Sequence, residues 1–160
     1  MDLPAFAGFA DLPVCYRKLI IYMKKEKLEV GDTCTHNVSF TQDEVKKFAA
    51  LTKDTNPIHL DEAYASGTVF KRPIVHGYLS GAVFSKVFGT LFPGIGTIYL
   101  YQEMKFRRPV YTGEKYIATF EVTEIVEEKN RANIYCQLLN SENKVCIEGQ
   151  ATVMHLEKIG

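Results

Sequence analysis

The chain has 160 residues, 46% hydrophobic and 24% charged, which suits one domain with a sizeable core. Nineteen basic and nineteen acidic residues cancel to zero net charge, so composition favours neither a nucleic-acid groove nor an anionic membrane surface. The four cysteines, Cys15, Cys34, Cys136 and Cys146, form no C-x-x-C pair and show no metal-ligand spacing. They point to a reducing compartment and to no metal site.

Residues 1–26 read as an N-terminal extension and residues 27–160 as the domain. The extension holds a mildly apolar segment, Leu12 to Met23, interrupted by Arg17 and Lys18 and followed by Lys24, Lys25 and Lys27. That segment is too short and too charged for a membrane span, and its charge follows the apolar run where a signal peptide would place it before. Asp2 and Asp11 count against a mitochondrial presequence. The lysines read as solvated surface, and Asn37-Val38-Ser39 as an accidental glycosylation pattern.

From Val30 to Phe40 polar and apolar residues alternate, predicting a strand entered through the Gly31-Asp32 turn. Thr41-Gln42-Asp43-Glu44 is a capping box, and Val45, Phe48, Ala49 and Thr52 follow at helical spacing to about Lys53. That helix delivers Asp54 into Asp54-Thr55-Asn56-Pro57-Ile58-His59. Pro57 disfavours helical geometry at Asn56, so the acid and the imidazole are expected on a bent loop. Converging in a cleft they would move protons; on a surface they would be only a turn.

Asp61 to Ala65 reads as a short helical turn, and Ser66 to Pro73 as a loop. Tyr78 to Phe92 is apolar on nearly every face, interrupted by Ser80, Ser85, Lys86 and Thr90, and predicts a buried core helix. Thr97 to Phe106, Lys115 to Glu127, Arg131 to Leu139 and Val145 to Leu156 read as strands, with turns at Lys129-Asn130 and Glu142-Asn143-Lys144. One buried helix followed by long antiparallel strands suggests a curved sheet wrapped around it, an α+β fold whose exposed edge a dimer would cover.

Gly77 opens the buried helix, where unpaired amides and a partial positive charge suit a developing oxyanion. Gly77, Gly81 and Ser85 recur at i, i+4 and i+8. This small-residue strip serves either close packing against the sheet or room for an extended ligand, with Ser85 as a polar handle. His76 is either a second base or substrate contact, or a structural residue tying down the loop before the helix. Arg107 and Arg108 read as a solvated strand end or as phosphate-binding residues. No Walker loop, dinucleotide fingerprint or nucleophile elbow occurs.

Asp54-Thr55-Asn56-Pro57-Ile58-His59-Leu60-Asp61, followed by Phe70-Lys71-Arg72-Pro73-Ile74-Val75-His76-Gly77, resembles the hydratase-2 motif of the MaoC-like family. The resemblance extends over about residues 28 to 156 and is greatest to single-domain (R)-specific enoyl-CoA hydratases. It implies a hot-dog fold, the helix as sausage and the sheet as bun, paired into a homodimer or a dimer of dimers. It implies catalysis by Asp54 and His59, with Asn56 shaping the loop, Gly77 donating its amide to the thioester oxygen and Ser85 in support. The substrate would be an acyl thioester with no further cofactor. The carrier would be coenzyme A or, in a same-fold dehydratase, acyl carrier protein. An acyl-CoA thioesterase or a non-catalytic thioester-binding protein would share the fold. The expected location is cytoplasmic, with the mitochondrial matrix as the alternative.

Overall fold

The computed structural model describes residues 27–159; the expectations for 1–26 lie outside that range. Strand β1 spans Thr33–Ser39 and helix α1 spans Gln42–Thr52. The capping box is formed: the Glu44 amide donates to Thr41 Oγ1 at 3.2 Å and the Thr41 amide to Glu44 Oε2 at 2.7 Å. Val45 and Ala49 face the core, and Lys53, at φ 66, ends the helix in a left-handed cap.

The loop expected from Asp54 to His59 is partly helical. Asn56 is extended (φ −54, ψ 123), as the following proline demands, but Pro57 then begins a one-turn helix α2, Pro57–Leu60. A proline that bars helix at its predecessor is pre-set for the first helical position itself. A second short helix, α3, spans Glu62–Ser66.

Helix α4, Gly77–Thr90, is the long helix of the fold. Its Val83, Phe84, Val87 and Phe88 are buried, and Phe84 and Phe88 meet Phe120 edge-on at 5.7 and 5.4 Å between ring centroids. Each such ring taken from water contributes on the order of 2 kcal/mol. The prediction of burial on every face is corrected: Tyr78, Ala82, Ser85 and Lys86 are exposed, because the sheet covers one side of the helix only.

The remaining strands are β2 (Ile98–Gln102), β3 (Lys105–Phe106), β4 (Lys115–Val126), β5 (Arg131–Asn140) and β6 (Val145–Met154). They form one antiparallel sheet in the order β1-β4-β5-β6-β2, with β3 also on β6. Tyr116, Ala118, Phe120 and Val122 of β4 face the core, as their alternation predicts. The strand expected from Thr97 to Phe106 is broken in two. At the break the Glu103 carbonyl lies 1.9 Å from where a Cβ on Gly149 would stand, so the chain crosses β6 at a residue without a side chain. Leu28 and Ile159, near the two ends of the described chain, are both buried in the same core. No described helix is long and apolar enough to cross a membrane.

Candidate active site

Three turns of backbone carry the site. After the Lys53 cap, the Asn56 amide donates to Asp54 Oδ1 at 3.3 Å, and Asn56 Oδ1 accepts from the Ile58 amide at 3.2 Å. Two successive side-chain-to-backbone turns thus place Asp54 before α2 and His59 within it. Asn56 thus takes part in both turns, through its amide in the first and its side chain in the second. Gln42 anchors the far side by donating to the His59 carbonyl at 2.9 Å.

His59 Nδ1 lies 2.8 Å from the Ile74 carbonyl oxygen. A carbonyl only accepts, so the ring proton sits on Nδ1 and the Nε2 lone pair is left free. Partial burial holds this imidazole below its usual pKa. The Ile74 hydrogen bond pulls it upward, and His76 adds a weaker downward push against the Asp54 charge.

His59 shares the wall of a pocket of about 260 Å³ with Gly77, Ser80, Phe106, Arg107 and Arg108. Gly77 is the first residue of α4, and its cap residue His76 makes no side-chain capping bond, so a first-turn amide is presented beside His59. A Cβ on Gly77 would stand 3.0 Å from the Phe106 ring. Asp54 is not on this wall; its carboxylate is half exposed and stands beside the two histidines.

The donor atoms of Asp54, His59 and His76 all lie within 4.8 Å of one another. The two imidazoles are stacked, 3.8 Å between centroids and 29° between planes. A ring nitrogen binds a metal along its own plane at about 2.0–2.1 Å, and near-parallel stacked rings do not converge at that distance. The cluster fits proton transfer, for which an acid and a base within 4.8 Å of each other admit one water bonded to both.

The family model described as "MaoC like domain" matches residues 25–143. The chain belongs to the MaoC-like family. It is 40% identical to a protein named (R)-specific enoyl-CoA hydratase from Aeromonas caviae, over 82% of this chain and 98% of that one. The solved R-hydratase PhaJ1 from Pseudomonas aeruginosa superposes with a TM-score of 0.77 at 40% identity, covering 86% of each chain. A mitochondrial 3-hydroxyacyl-[acyl-carrier-protein] dehydratase from Arabidopsis thaliana is 30% identical over 81% of this chain and 79% of that one. The curved antiparallel sheet with its long helix is the hot-dog fold of this MaoC-like chain.

Within that fold some sequence expectations meet and others part. His59 and Gly77 come together on one pocket, with Asp54 alongside. Ser85 lies on the exposed side of α4, off this wall, and its hydroxyl makes no hydrogen bond among the described residues. Ser80, one turn from Gly77, takes the pocket position instead; its buried hydroxyl lies 2.9 Å from the Gly77 carbonyl and 3.1 Å from that of His76. One of three hydroxyls interrupting an apolar run, it carried no further signal in the sequence. Gly81 is corrected to a packing residue: Met104 Sδ lies 2.6 Å from where its Cβ would stand, filling the strip. His76 is only 2% exposed, is not on this wall and lies behind His59, the placement that its structural reading expects. Arg107 and Arg108 do reach the pocket rim. Arg107 is paired with Glu148 at 2.7 Å, and Arg108 donates to the Val145 carbonyl at 2.6 Å.

Proposed function

We propose that this chain adds water to trans-2-enoyl-CoA to give (R)-3-hydroxyacyl-CoA, reversibly, as an (R)-specific enoyl-CoA hydratase. The observation that carries the reading is the His59 tautomer. With its Nδ1–H spent on Ile74, the ring offers Nε2 to the pocket that the Gly77 amide also lines. The 40% identity to the Aeromonas hydratase supports it.

The chemistry follows from this placement. A water held between Asp54 and His59 gives one proton to His59 Nε2 as its oxygen bonds to C3 of the enoyl group. The π electrons move toward the thioester oxygen, and the enolate-like charge is met by the Gly77 amide at the positive end of α4. His59 then returns the proton to C2 as the carbonyl re-forms. Asp54 accepts a hydrogen bond from the water's second O–H, which stays intact and fixes the attacking lone pair, and its charge stabilises the transient imidazolium. Hydroxyl and proton arrive from one water on one face, a syn addition. The reaction is redox-neutral and draws both added groups from water, so it calls for no cofactor beyond the thioester carrier. Arg107 and Arg108 line the same pocket, which supports a role for them in meeting the phosphates of coenzyme A.

The test is loss of the conjugated enoyl absorbance of crotonyl-CoA, followed beside release of free thiol. Hydration that survives in both Asp54→Asn and His59→Ala sinks the mechanism; thiol release without hydration makes the protein a thioesterase. The identity to the Arabidopsis dehydratase favours a second reading, in which acyl carrier protein bears the substrate. Crotonyl thioesters of both carriers, compared by kcat/KM, separate the two. The β2 edge with exposed Ile98, Leu100 and Tyr101 supports assembly as a dimer or a dimer of dimers. A cytoplasmic or mitochondrial-matrix location goes with this reading.

A further inference from the structure

His76 has no part in that chemistry, yet it is the residue most tightly built into the site. It is 2% exposed. Its Nε2 lies 3.1 Å from the backbone carbonyl of Asp54, and since a carbonyl only accepts, the proton is on Nε2. Nδ1 is then a buried lone pair, and it has no hydrogen-bond partner among the described residues. An unsatisfied buried polar atom costs stability and is uncommon in a native fold. One face of the ring is stacked on His59, and Phe48 of α1 tilts against it at 5.1 Å. The Asp54 carboxylate stands 4.0 Å from Nε2.

We propose that His76 is a positioning residue of the reaction: its Nε2–H pins the Asp54 backbone while its ring face sets the plane of the His59 imidazole. One buried ring thereby holds both proton-handling side chains, which come from different turns of the chain. Ile74 fixes the in-plane direction of His59 through Nδ1. A single hydrogen bond leaves the ring free to tilt about that axis, and the stack removes the tilt. Phe48 supports His76 from α1, so the register reaches back to the core. The charged or titratable groups facing His76 are Asp54 and His59, from the loop and from α2.

The kinetic consequence rests on the hydratase reading; the geometric one does not. Two substitutions divide the functions of the ring. His76→Gln keeps an N–H for the Asp54 carbonyl and loses the stacked face, and His76→Phe keeps the face and loses the donor. Each is expected to lower kcat by about 10- to 100-fold with KM within about threefold, because displacement of a reacting group by about 1 Å costs up to about a hundredfold in rate. In a His59→Ala background, His76→Gln is expected to lower kcat no further.

Ring nitrogen-15 NMR of the protein alone supplies the second readout. Wild type is expected to show neutral His59 protonated on Nδ1 and His76 on Nε2, and His76→Gln to show His59 as a mixture of tautomers. The proposal is overturned if either variant keeps kcat within twofold. It is also overturned if KM rises while kcat holds, which would make His76 a substrate contact, or if wild-type His59 carries its proton on Nε2. Should a variant fail to fold, the wild-type tautomers still decide; should wild type hydrate nothing, the same spectra separate this proposal from the proposed activity.

Discussion

Two buried histidines stand at opposite ends of the chain's core and are held in opposite ways. His155, 4% exposed, uses both ring nitrogens: Nε2–H donates to the Ile95 carbonyl at 3.0 Å, and Nδ1 accepts from the Glu157 and Lys158 amides at 3.2 Å each. It ties the C-terminal turn to the loop after α4 and leaves nothing over. His76, just as buried, bonds through one nitrogen and lays its ring on a histidine that faces a pocket. A fully satisfied imidazole acts as a staple for the fold. One that forgoes a bond beside a pocket gives up stability where chemistry needs placement.

The widest break between the two regions comes at the reacting groups. Positioned acid–base groups contribute about 10²- to 10⁴-fold to rate. His59→Ala and Asp54→Asn are therefore each expected to lower kcat for crotonyl-CoA hydration by about a thousandfold. Asp54 is half exposed and His59 is only partly buried, so melting temperature should stay within a few degrees. Loss of folding along with activity would place these residues with His155, as structural ones.

The converse substitution is His155→Leu, which leaves three backbone groups without their partner. With about 1 kcal/mol for each lost bond, urea unfolding should show about 2–4 kcal/mol less stability. The folded fraction should hydrate at an unchanged kcat. A fall in kcat at constant folded fraction would mean that the two ends are coupled and the comparison too sharp.

What could be read in the sequence was local. The Thr41–Glu44 box, the alternation through Tyr116 and Val122, and the left-handed turns at Asn130 and Asn143 each depend on residues a few positions apart, and each is in place. The turn at Asn56 was legible for the same reason, since Pro57 dictates its predecessor's geometry, but the helical turn from Pro57 to Leu60 that carries His59 was not read. What failed depended on contacts between distant segments. Nothing in Glu103 announces that its carbonyl will lie against Gly149 and split a strand. Spacing put Gly77, Gly81 and Ser85 on one helical face but could not say that Met104 fills the middle of it, or that the pocket meets the helix at Ser80. Spacing also left open whether His76 touches substrate; Phe48 and His59, packed on its ring, decide that.

The two ends can be sharpened further by adding one methyl group at each. Gly96, at φ +98, lies where a Cβ would be 3.4 Å from His155 Nε2, so Gly96→Ala is both strained and crowded. About 1–2 kcal/mol of stability should go, with kcat/KM unchanged. Gly77→Ala pushes its methyl toward Phe106, which is 51% exposed and able to give way. Stability should hold within about 1 kcal/mol, while a shifted amide lowers kcat/KM by about tenfold. Phe106→Leu in that background should restore part of the loss. A methyl that harms stability at Gly77 and rate at Gly96 would reverse the assignment.

The smallest effect is in pH, and it isolates His59 from the other histidines. Its folded pKa lies below the ordinary 6.5, chiefly through burial. Between that lowered value and 6.5 the unfolded chain binds more protons at this residue than the folded one. Stability from His59 is therefore fully present above 6.5 and is lost as pH falls through this window. Wild type minus His59→Gln, measured by urea unfolding from pH 5 to 8, should give a shallow positive slope below 6.5 and a flat line above it. The same neutral imidazole is the base for hydration, so kcat/KM should fall on the acid side along a limb centred below 6.5. A limb centred above 6.5 would mean that the Asp54 charge and the Ile74 hydrogen bond outweigh burial. Neutral His59 begins the reaction in both directions, so the dehydration limb should be centred at the same pH as the hydration limb.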